Sequence, residues 1–403
     1  MVEATQNPFD NKGIITAAIA LSAIGAILYN VLPLFIGVSQ DFRGLNDARS
    51  GLLGSAFYVG FTGATISAFF WIRSCSWRVA TLLALVTAIA ALALTGATPT
   101  FGFTLLCTAI SGGAFSILYG IGTTILAETG DPARWYGAKI AAEAGLGATL
   151  MLLIPGAVEA WGFAGMLIAI VAATLLLAPL LWKTPAGSAR SAATGDESGL
   201  QQKSPGHAIW FGLGCVLLFM TAATMVWAFL ERLANEGGYD LVIAGRILSF
   251  TLVMAVAGSL LSAWAGDRFG LQRPLTAACL IFVSAASVLA WSSSLPAFAA
   301  GACLLTFGIG MGLPVAVSIA AFLDPDGRHV VLTVPAIGFG VMIAPASGGL
   351  LAESIGYSSV LYASGCLALV ALATATYALR LHAKHAAPAG TATPEETQSP
   401  PLI

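Results

Sequence analysis

One acidic residue of this 403-residue chain, Glu143, lies inside a run of apolar residues that extends from about 138 to 159. A run of this length can cross a bilayer as a helix. A charge at the centre of such a helix costs at least about 2.5 to 3.5 kcal/mol, so the group is expected to face a cavity or a charged partner. A carboxylate in this position can bind a proton and couple its movement to that of a solute.

Lys139 precedes Glu143 by one helical turn and offers a second interpretation. Side chains four residues apart lie on one face of a helix, where they can form an ion pair with a purely structural role. At a rise of about 1.5 Å per residue, Glu143 also lies only about 7 Å from the start of the run at Ala138. The spacing leaves proton coupling and a structural pair both open.

Charged loops at matching positions divide the chain into two halves. The second loop follows the first by 195 residues, and Ile72 replaces its acidic residue in the first. The residues concerned are Arg73 and Arg78, and Asp267, Arg268 and Arg273. A further echo, at an offset of 194, matches Arg134, Glu159 and Gly162 with Arg328, Glu353 and Gly356. Internal repeats of this kind in an apolar chain are typical of secondary transporters.

Long apolar helices must hold these side chains, because the chain is 58% hydrophobic and only 9% charged, with a mean hydropathy of +0.88. Soluble domains contain about 25% charged residues. The apolar runs long enough to span a bilayer are 14–37, 51–71, 79–98, 103–127, 138–159, 164–182, 209–231, 247–265, 274–293, 297–321, 331–352 and 358–380. The predicted fold is an all-α membrane protein with twelve transmembrane helices in two parallel six-helix repeats.

Composition also predicts the domain boundaries. An N-terminal six-helix bundle at 1–182 is followed by a linker at 183–208 that is rich in Gly, Ser, Ala, Thr and Gln. A C-terminal six-helix bundle at 209–381 precedes a tail at 382–403, whose Pro, Thr, Gln and Glu content predicts disorder. Thirteen of the seventeen Lys and Arg residues fall on the side that holds both chain ends. The positive-inside rule therefore predicts cytoplasmic termini, a cytoplasmic linker and a location in the plasma membrane, the inner membrane in a bacterium.

Other functional classes find little support. The sequence has no Gly-Lys-Ser/Thr phosphate loop, no His-Glu-x-x-His and no Gly-x-Ser-x-Gly, so we expect no enzyme activity and no cofactor. The six cysteines are scattered singly, without metal-ligand spacing, so no metal site is expected. The net charge of −2 does not favour nucleic acid as a partner. The expected partners are the lipid bilayer, a small organic substrate and protons, and the expected state is a monomer.

With these features the chain resembles the major facilitator superfamily along essentially its whole length. Asp267-Arg268-Phe269-Gly270 with Arg273 matches the loop motif of that family, and the first half retains Arg73 and Arg78 of the second copy. The resemblance implies that these five charged residues form a cytoplasmic latch that stabilises the outward-open state. The alternative for the two first-half arginines is a topological anchor.

The resemblance also implies that helices one, four, seven and ten surround a central cavity. Polar and aromatic residues on these helices and on helix two could line an uncharged, aromatic-walled pocket, or could only bond and pack between helices. The candidates are Tyr29, Asn30, Tyr58, Ser111, Tyr119, Thr221, Thr224, Trp227 and Thr306. Tyr119 reaches nearly the depth of Glu143, which suggests a polar cluster near the cytoplasmic side. Glu231 and Arg232 end helix seven as an external gate or an interfacial cap.

Two features bear on the kind of transport. The segment Ala344-Pro345-Ala346-Ser347-Gly348-Gly349 of helix eleven resembles a motif that drug/proton antiporters have in helix five, or simply allows close packing. Helix four lacks the Arg of those antiporters. We therefore predict a secondary transporter that takes up an organic acid, with aromatic acids among the candidates, with a proton bound at Glu143. The helix cores offer no obvious cation for a carboxylate, so export of a lipophilic compound is the alternative, and a non-transporting sensor or assembly factor is a third.

Overall fold

A computed structural model describes residues 7–97, 100–188, 207–291, 294–324 and 329–386 of the chain. Within these ranges the protein is helical. The α-helices are α1 Lys12–Gly25, α2 Ile27–Asn30, α3 Leu32–Arg43, α4 Asp47–Trp71, α5 Trp77–Ala97, α6 Phe101–Ala127, α7 Pro132–Leu177, α8 Ala208–Glu236, α9 Leu241–Phe269, α10 Gln272–Trp291, α11 Leu295–Phe322, α12 Thr333–Ile355 and α13 Tyr357–Ala386. Short 3-10 helices lie at Ala178–Lys183 and Val330–Leu332.

These helices form the twelve spans that the sequence predicts. Ten helices are long and apolar enough to cross a membrane. One of these ten helices extends over 134–183 and contains two spans. Span 1 is α1 to α3, and α4, α5 and α6 are spans 2, 3 and 4. Spans 5 and 6 are 132–160 and 163–177 of α7, and α8 to α13 are spans 7 to 12. We call the side where span 1 begins and span 12 ends the terminal side, and the other the far side.

Local sequence signals explain where several helices begin and break. Asn46 and Asp131 accept hydrogen bonds from backbone N–H groups three residues later, as N-cap residues do. Span 1 is interrupted at Ala26 and Val31, and the second interruption lies just before Pro33, which cannot donate a backbone hydrogen bond. The broken helix isolates the four-residue segment Ile27–Asn30 at mid-depth.

The predicted repeat recurs in the backbone geometry. Gly162 separates spans 5 and 6 with a φ of 57°, and Gly356 separates spans 11 and 12 with a φ of 104°. A positive φ favours glycine because it has no Cβ atom. The two glycines that match in the sequence therefore form corresponding turns in the two halves.

The outer surface is apolar, as expected for a chain surrounded by lipid. Phe69, Phe70, Leu176, Trp182 and Trp291 are all more than three quarters exposed. Exposed apolar surface of this extent is rare on soluble monomers and typical of proteins in membranes. The exposed side chains and the long apolar helices together identify a multi-pass membrane protein.

Span 5 begins earlier than the sequence predicts. Its first residue is Pro132, six residues before the expected start, and Asp131 caps it. Proline is common at the first position of a helix, where its missing N–H has no partner to lose. At about 1.5 Å per residue, Glu143 lies about 16 Å from the first residue of this helix, compared with about 7 Å from the expected start at Ala138.

The structure describes the beginning of each of the two predicted polar segments, the linker and the tail. The first residues of the predicted linker contact the start of span 3, where Arg78 Nε donates to the Thr184 carbonyl at 2.9 Å and the Trp77 N–H donates to the Ala186 carbonyl at 2.9 Å. Span 12 continues as helix to Ala386, into the predicted tail. The rest of the predicted linker, 189–206, and of the predicted tail, 387–403, lies outside the described residues.

Spans 2 and 11 join the two halves along the far side. Position 51 shows how close they are, because a Cβ atom added to Gly51 would lie 2.3 Å from the Pro345 carbonyl oxygen. Ser55 Oγ accepts a hydrogen bond from the Ala346 N–H at 3.0 Å. Thr62 Oγ1 donates to the Gly338 carbonyl at 3.3 Å.

We expect Gly51→Ala to lower the apparent melting temperature of the purified protein in detergent. The added methyl group meets backbone atoms, and overpacking of this kind costs about 1 to 3 kcal/mol. The matched control is Gly63→Ala in the same span, because a Cβ atom at position 63 has nothing within 4 Å. Equal melting temperatures for the two variants would contradict the close packing of spans 2 and 11.

Candidate functional site

A cavity of about 170 Å³ lies between the two halves at mid-depth. Spans 1 and 5 of the first half and spans 7, 8 and 10 of the second half form its wall. The lining residues are Tyr29, Asn30, Ile140, Glu143, Ala144, Met220, Ala223, Thr224, Trp227, Leu252, Ala255, Val256, Ser259, Thr306 and Ile309. The wall is mainly apolar and aromatic with a few polar groups, which is the usual character of a small-molecule site.

Six of the residues singled out in the sequence lie in this wall: Tyr29, Asn30, Glu143, Thr224, Trp227 and Thr306. The break in span 1 exposes backbone and side-chain groups of its middle segment to the neighbouring spans. The Tyr29 carbonyl accepts a hydrogen bond from Trp227 Nε1 at 3.4 Å, and Asn30 Nδ2 donates to the Glu143 carbonyl at 3.0 Å. These contacts connect spans 1, 5 and 7 around the cavity.

The other four candidates lie outside the wall. Ser111 and Thr221 donate hydrogen bonds to carbonyls of their own helices, at Thr108 and Leu217, both at 2.8 Å. Their hydroxyl groups thus satisfy the local backbone. Tyr58 is buried and lies behind Tyr29, with 5.9 Å between the ring centroids. Tyr119 lies behind Glu143 against the side chain of Lys139.

The charged pair predicted as one alternative is present. Lys139 Nζ lies 2.8 Å from Glu143 Oε1, and the two side chains are 5% and 13% exposed. The same Nζ lies 3.9 Å from the centroid of the Tyr119 ring, a cation–π contact. Of the two charged groups, Glu143 lines the cavity and Lys139 lies directly behind it.

Lys139 is the functional candidate that the sequence analysis did not recognise. The sequence predicts a helix that begins at residue 138, which places Lys139 at the membrane boundary as a structural partner of Glu143. The start of the helix at Pro132 moves Lys139 one and a half turns or more into the bundle, where it is 4% exposed. The signal that could have identified it is the Asp131-Pro132 pair, a frequent start of a helix.

A second buried charge cluster connects the halves on the far side. The Nη1 and Nη2 atoms of Arg232 in span 7 donate to the carboxylate of Asp41 in span 1, at 2.8 Å each. Arg232 Nε also lies 2.8 Å from Glu231 Oε2, and the Glu231 side chain is 1% exposed. A bidentate pair between spans 1 and 7 does more than cap a helix end, since it crosses from one half to the other.

Further polar contacts on the far side join spans 2, 11 and 12. Glu353 accepts hydrogen bonds from Asn46 Nδ2 at 2.8 Å and from the Ala48 N–H at 3.0 Å. The Tyr357 hydroxyl donates to the carboxylate of Asp47. We call these contacts and the Asp41–Arg232–Glu231 cluster the far-side clamp. The clamp and the packing of span 2 on span 11 close the cavity on the far side.

The residues of the predicted latch lie on the terminal side. Arg73, Arg268 and Arg273 are exposed there, and the Arg268 guanidinium lies over the Trp264 ring at 5.5 Å. Arg78 binds the Thr184 carbonyl of its own half. The side chain of Asp267 lies outside the described part of the chain, so its contacts with these arginines remain a prediction. Among the described residues, no three His, Cys, Asp or Glu side chains cluster as metal ligands would.

Comparison with known proteins finds a match to one protein family in the second half of the chain. Residues 213–402 match the family model described as Major Facilitator Superfamily. A gentisate transporter of Corynebacterium glutamicum is 30% identical over 184 residues, which cover 43% of this chain and 40% of that protein. The chain thus aligns with about two fifths of the length of this relative.

Solved structures of transporters share the fold over nearly the whole chain. The human organic anion transporter MFSD10 is 17% identical, with 92% of this chain and 100% of that one covered and a TM-score of 0.62. The nucleoside transporter NupG is 11% identical, with 92% and 100% covered and a TM-score of 0.71. A bacterial homologue of the human lysosomal transporter Spinster, in an inward-facing and unoccupied conformation, is 14% identical, with 94% and 96% covered and a TM-score of 0.60. At these identities the likeness demonstrates the fold alone.

We expect Asp41→Asn to open the far side more often. The change removes one charge of a bidentate pair whose carboxylate is 43% exposed, so the expected loss is about 1 kcal/mol, or about fivefold in the equilibrium. The measurement is the rate at which a cysteine introduced at Thr224 reacts with a membrane-impermeant maleimide added from the far side of vesicles. The rate for the protein without this cysteine is subtracted.

The control for this experiment is Arg246→Gln, which removes an exposed charge near the far-side end of span 8. The maleimide rate should stay the same in this variant, because Arg246 contributes no contact to the clamp described above. A rate for Asp41→Asn equal to that of the control would show that the clamp does not limit opening.

Proposed function

We propose that this chain is a transporter of the major facilitator superfamily and that it takes up a small organic acid together with a proton. The fold and the match of the second half to the family model support the first part of this proposal. The observation that carries the proposal is the position of Glu143. Its carboxylate is largely buried and lines a cavity that both halves enclose. An ionisable group at this depth is costly and is expected to have a function.

The size and wall of the cavity support a small aromatic substrate over a large lipophilic one. Sites for drug-sized ligands have volumes of about 300 to 1,000 Å³, and this cavity has about 170 Å³. Tyr29 and Trp227 provide aromatic surface from opposite halves. Flat aromatic side chains pack well against a ring. These features favour uptake of an aromatic acid over export of lipophilic compounds.

The names of two similar proteins support the same substrate class. One relative is a gentisate transporter, and gentisate is an aromatic carboxylate. One of the similar structures belongs to an organic anion transporter. These two names describe those proteins, and we extend the substrate class to this chain as part of the proposal.

The distribution of Lys and Arg supports a cytoplasmic position for the terminal side. With this orientation in a plasma membrane, the far-side clamp faces outward. The conformation of this structure is then closed to the outside. Uptake requires a second state in which the clamp is broken and the halves separate on the far side. The predicted latch of Asp267 and the arginines would stabilise that second state on the cytoplasmic side.

A proton and the substrate enter this cavity from the outside in the second state. The proton binds to Glu143, which neutralises its carboxylate, and the organic acid binds beside it. The halves then rock, the clamp forms again, and both leave to the cytoplasm. The coupling follows if only the protonated, occupied protein and the empty protein change state readily.

We expect Glu143→Gln to abolish proton-driven uptake. Gln has nearly the same shape as Glu but cannot release a proton in this pH range. Uptake of labelled gentisate and benzoate into proteoliposomes with an acidic exterior should fall by about tenfold or more, to the rate without a gradient, because one carboxylate carries the coupling. The matched control is Glu159→Gln, an exposed carboxylate of the same helix, for which uptake should be unchanged.

Unchanged proton-driven uptake in Glu143→Gln would rule out coupling through this residue. Transport of a lipophilic cation, but of neither acid, would favour export of lipophilic compounds instead. If no labelled compound is transported by the unmodified protein, the sensor or assembly-factor alternative gains support.

A further inference from the structure

We propose that the ammonium group of Lys139 binds the carboxylate of the substrate. Glu143 and the substrate carboxylate pair with this ammonium group in turn. The inference rests on the proposed function, and it extends that function to a substrate class and a stoichiometry. One proton on Glu143 and one monoanion on Lys139 cross together. The Lys139–Glu143 pair forms again when both have left.

The geometry places the ammonium group within reach of the cavity. Glu143 lines the wall, and the Lys139 ammonium lies immediately behind its carboxylate, with 2.8 Å between Nζ and Oε1. The long Glu143 side chain can turn about its own bonds when its charge is neutralised. A substrate carboxylate that takes its place then meets the ammonium at hydrogen-bond distance.

Burial makes the proton and the anion depend on each other. Lys139 is 4% exposed, and an isolated ion at such a position is strongly unfavourable. When Glu143 binds a proton, Lys139 loses its counter-charge. A carboxylate from the cavity restores it, so protonation of Glu143 and binding of the anion favour each other.

The other titratable groups near the pair are tyrosines and do not provide a competing charge. Tyr119 of span 4 lies against the ammonium, with its ring centroid 3.9 Å from Nζ. Tyr29 of span 1 lines the same cavity, and the facing part of span 8 contributes Ser259, which is uncharged. Of the residues that line the cavity, Glu143 is the one acidic or basic side chain within the described chain. The ammonium of Lys139 is therefore the cation that an anion in this cavity would meet.

This arrangement selects for monocarboxylic aromatic acids. One ammonium group can compensate one carboxylate, so a dianion would bring a buried charge without a partner. A neutral amide lacks the charge that replaces Glu143. The aromatic surfaces of Tyr29 and Trp227 border the space in which the ring would lie.

The arrangement also predicts electroneutral transport. The empty site contains one positive and one negative charge, and the loaded site contains the same charges, with the negative one on the substrate. Neither state carries net charge across the membrane. Uptake should therefore follow the pH gradient and ignore the membrane potential.

Binding measurements by calorimetry with gentisate test the role of Lys139 directly. Glu143→Gln removes the competitor but keeps the ammonium group, so it should bind gentisate at pH 7 about tenfold more tightly than the unmodified protein and without pH dependence. Lys139→Met should bind it about tenfold or more weakly. These factors correspond to the usual strength of one charged hydrogen bond.

The double variant Lys139→Met/Glu143→Gln controls for folding. It removes both buried charges, and replacing a whole buried pair by neutral groups is often neutral or stabilising. It should keep the melting temperature and elution volume of the unmodified protein and still fail to bind gentisate. Gentisate binding by a folded double variant at the normal affinity would overturn the role of Lys139.

Uptake into proteoliposomes under a potential set by valinomycin tests the stoichiometry. The initial rate of uptake should be the same at zero and at inside-negative potential, with an acidic exterior in both cases. An uptake rate that follows the membrane potential overturns the electroneutral symport. Proton-driven uptake that persists in Lys139→Met overturns this inference alone, whereas an unmodified protein that imports neither gentisate nor benzoate overturns the proposed function with it.

Discussion

The close contact between the two halves on the far side determines where the rest of the molecule can open. Span 2 packs on span 11 without room for a Cβ atom at Gly51, and Arg232 joins span 7 to Asp41 of span 1. A packed interface of this kind has discrete arrangements and does not deform continuously. The cavity lies where this contact ends, and its walls come from both halves because the contact involves both. In the proposed transport cycle, alternating access requires that this contact break while another forms on the opposite side.

The bilayer makes every charge inside this bundle costly, and the protein satisfies each cluster differently. Arg232 binds the carboxylates of both Glu231 and Asp41, and its bidentate geometry on Asp41 suits a fixed contact. Lys139 and Glu143 have a single short contact, and one of the two borders open space. A fixed cluster can stabilise one state of a transporter. A pair with one member at the cavity wall can exchange its partner, which is what coupling to a solute requires.

The two halves share their backbone plan but not their charges. Gly162 and Gly356 form corresponding turns, yet the positions that match Lys139 and Glu143 at the offset of 194 are Thr333 and Ile337. In the loops the asymmetry is reversed, because Asp267 belongs to the second half and Ile72 replaces it in the first. Duplication thus produced the framework, and the chemistry resides in residues that differ between the copies.

The sequence by itself determined the twelve spans, the repeat and the break near Gly162, because each span must satisfy its own backbone hydrogen bonds and each signal is local. It also identified Glu143 as the carboxylate inside a helix. Only the tertiary structure decided which polar groups share the cavity. Ser111 and Thr221 have the right depth but bond to their own helices, and Lys139 gained its place from the early start of span 5. The rotation and exact start of a helix depend on packing against its neighbours, and that information is not local to any one segment.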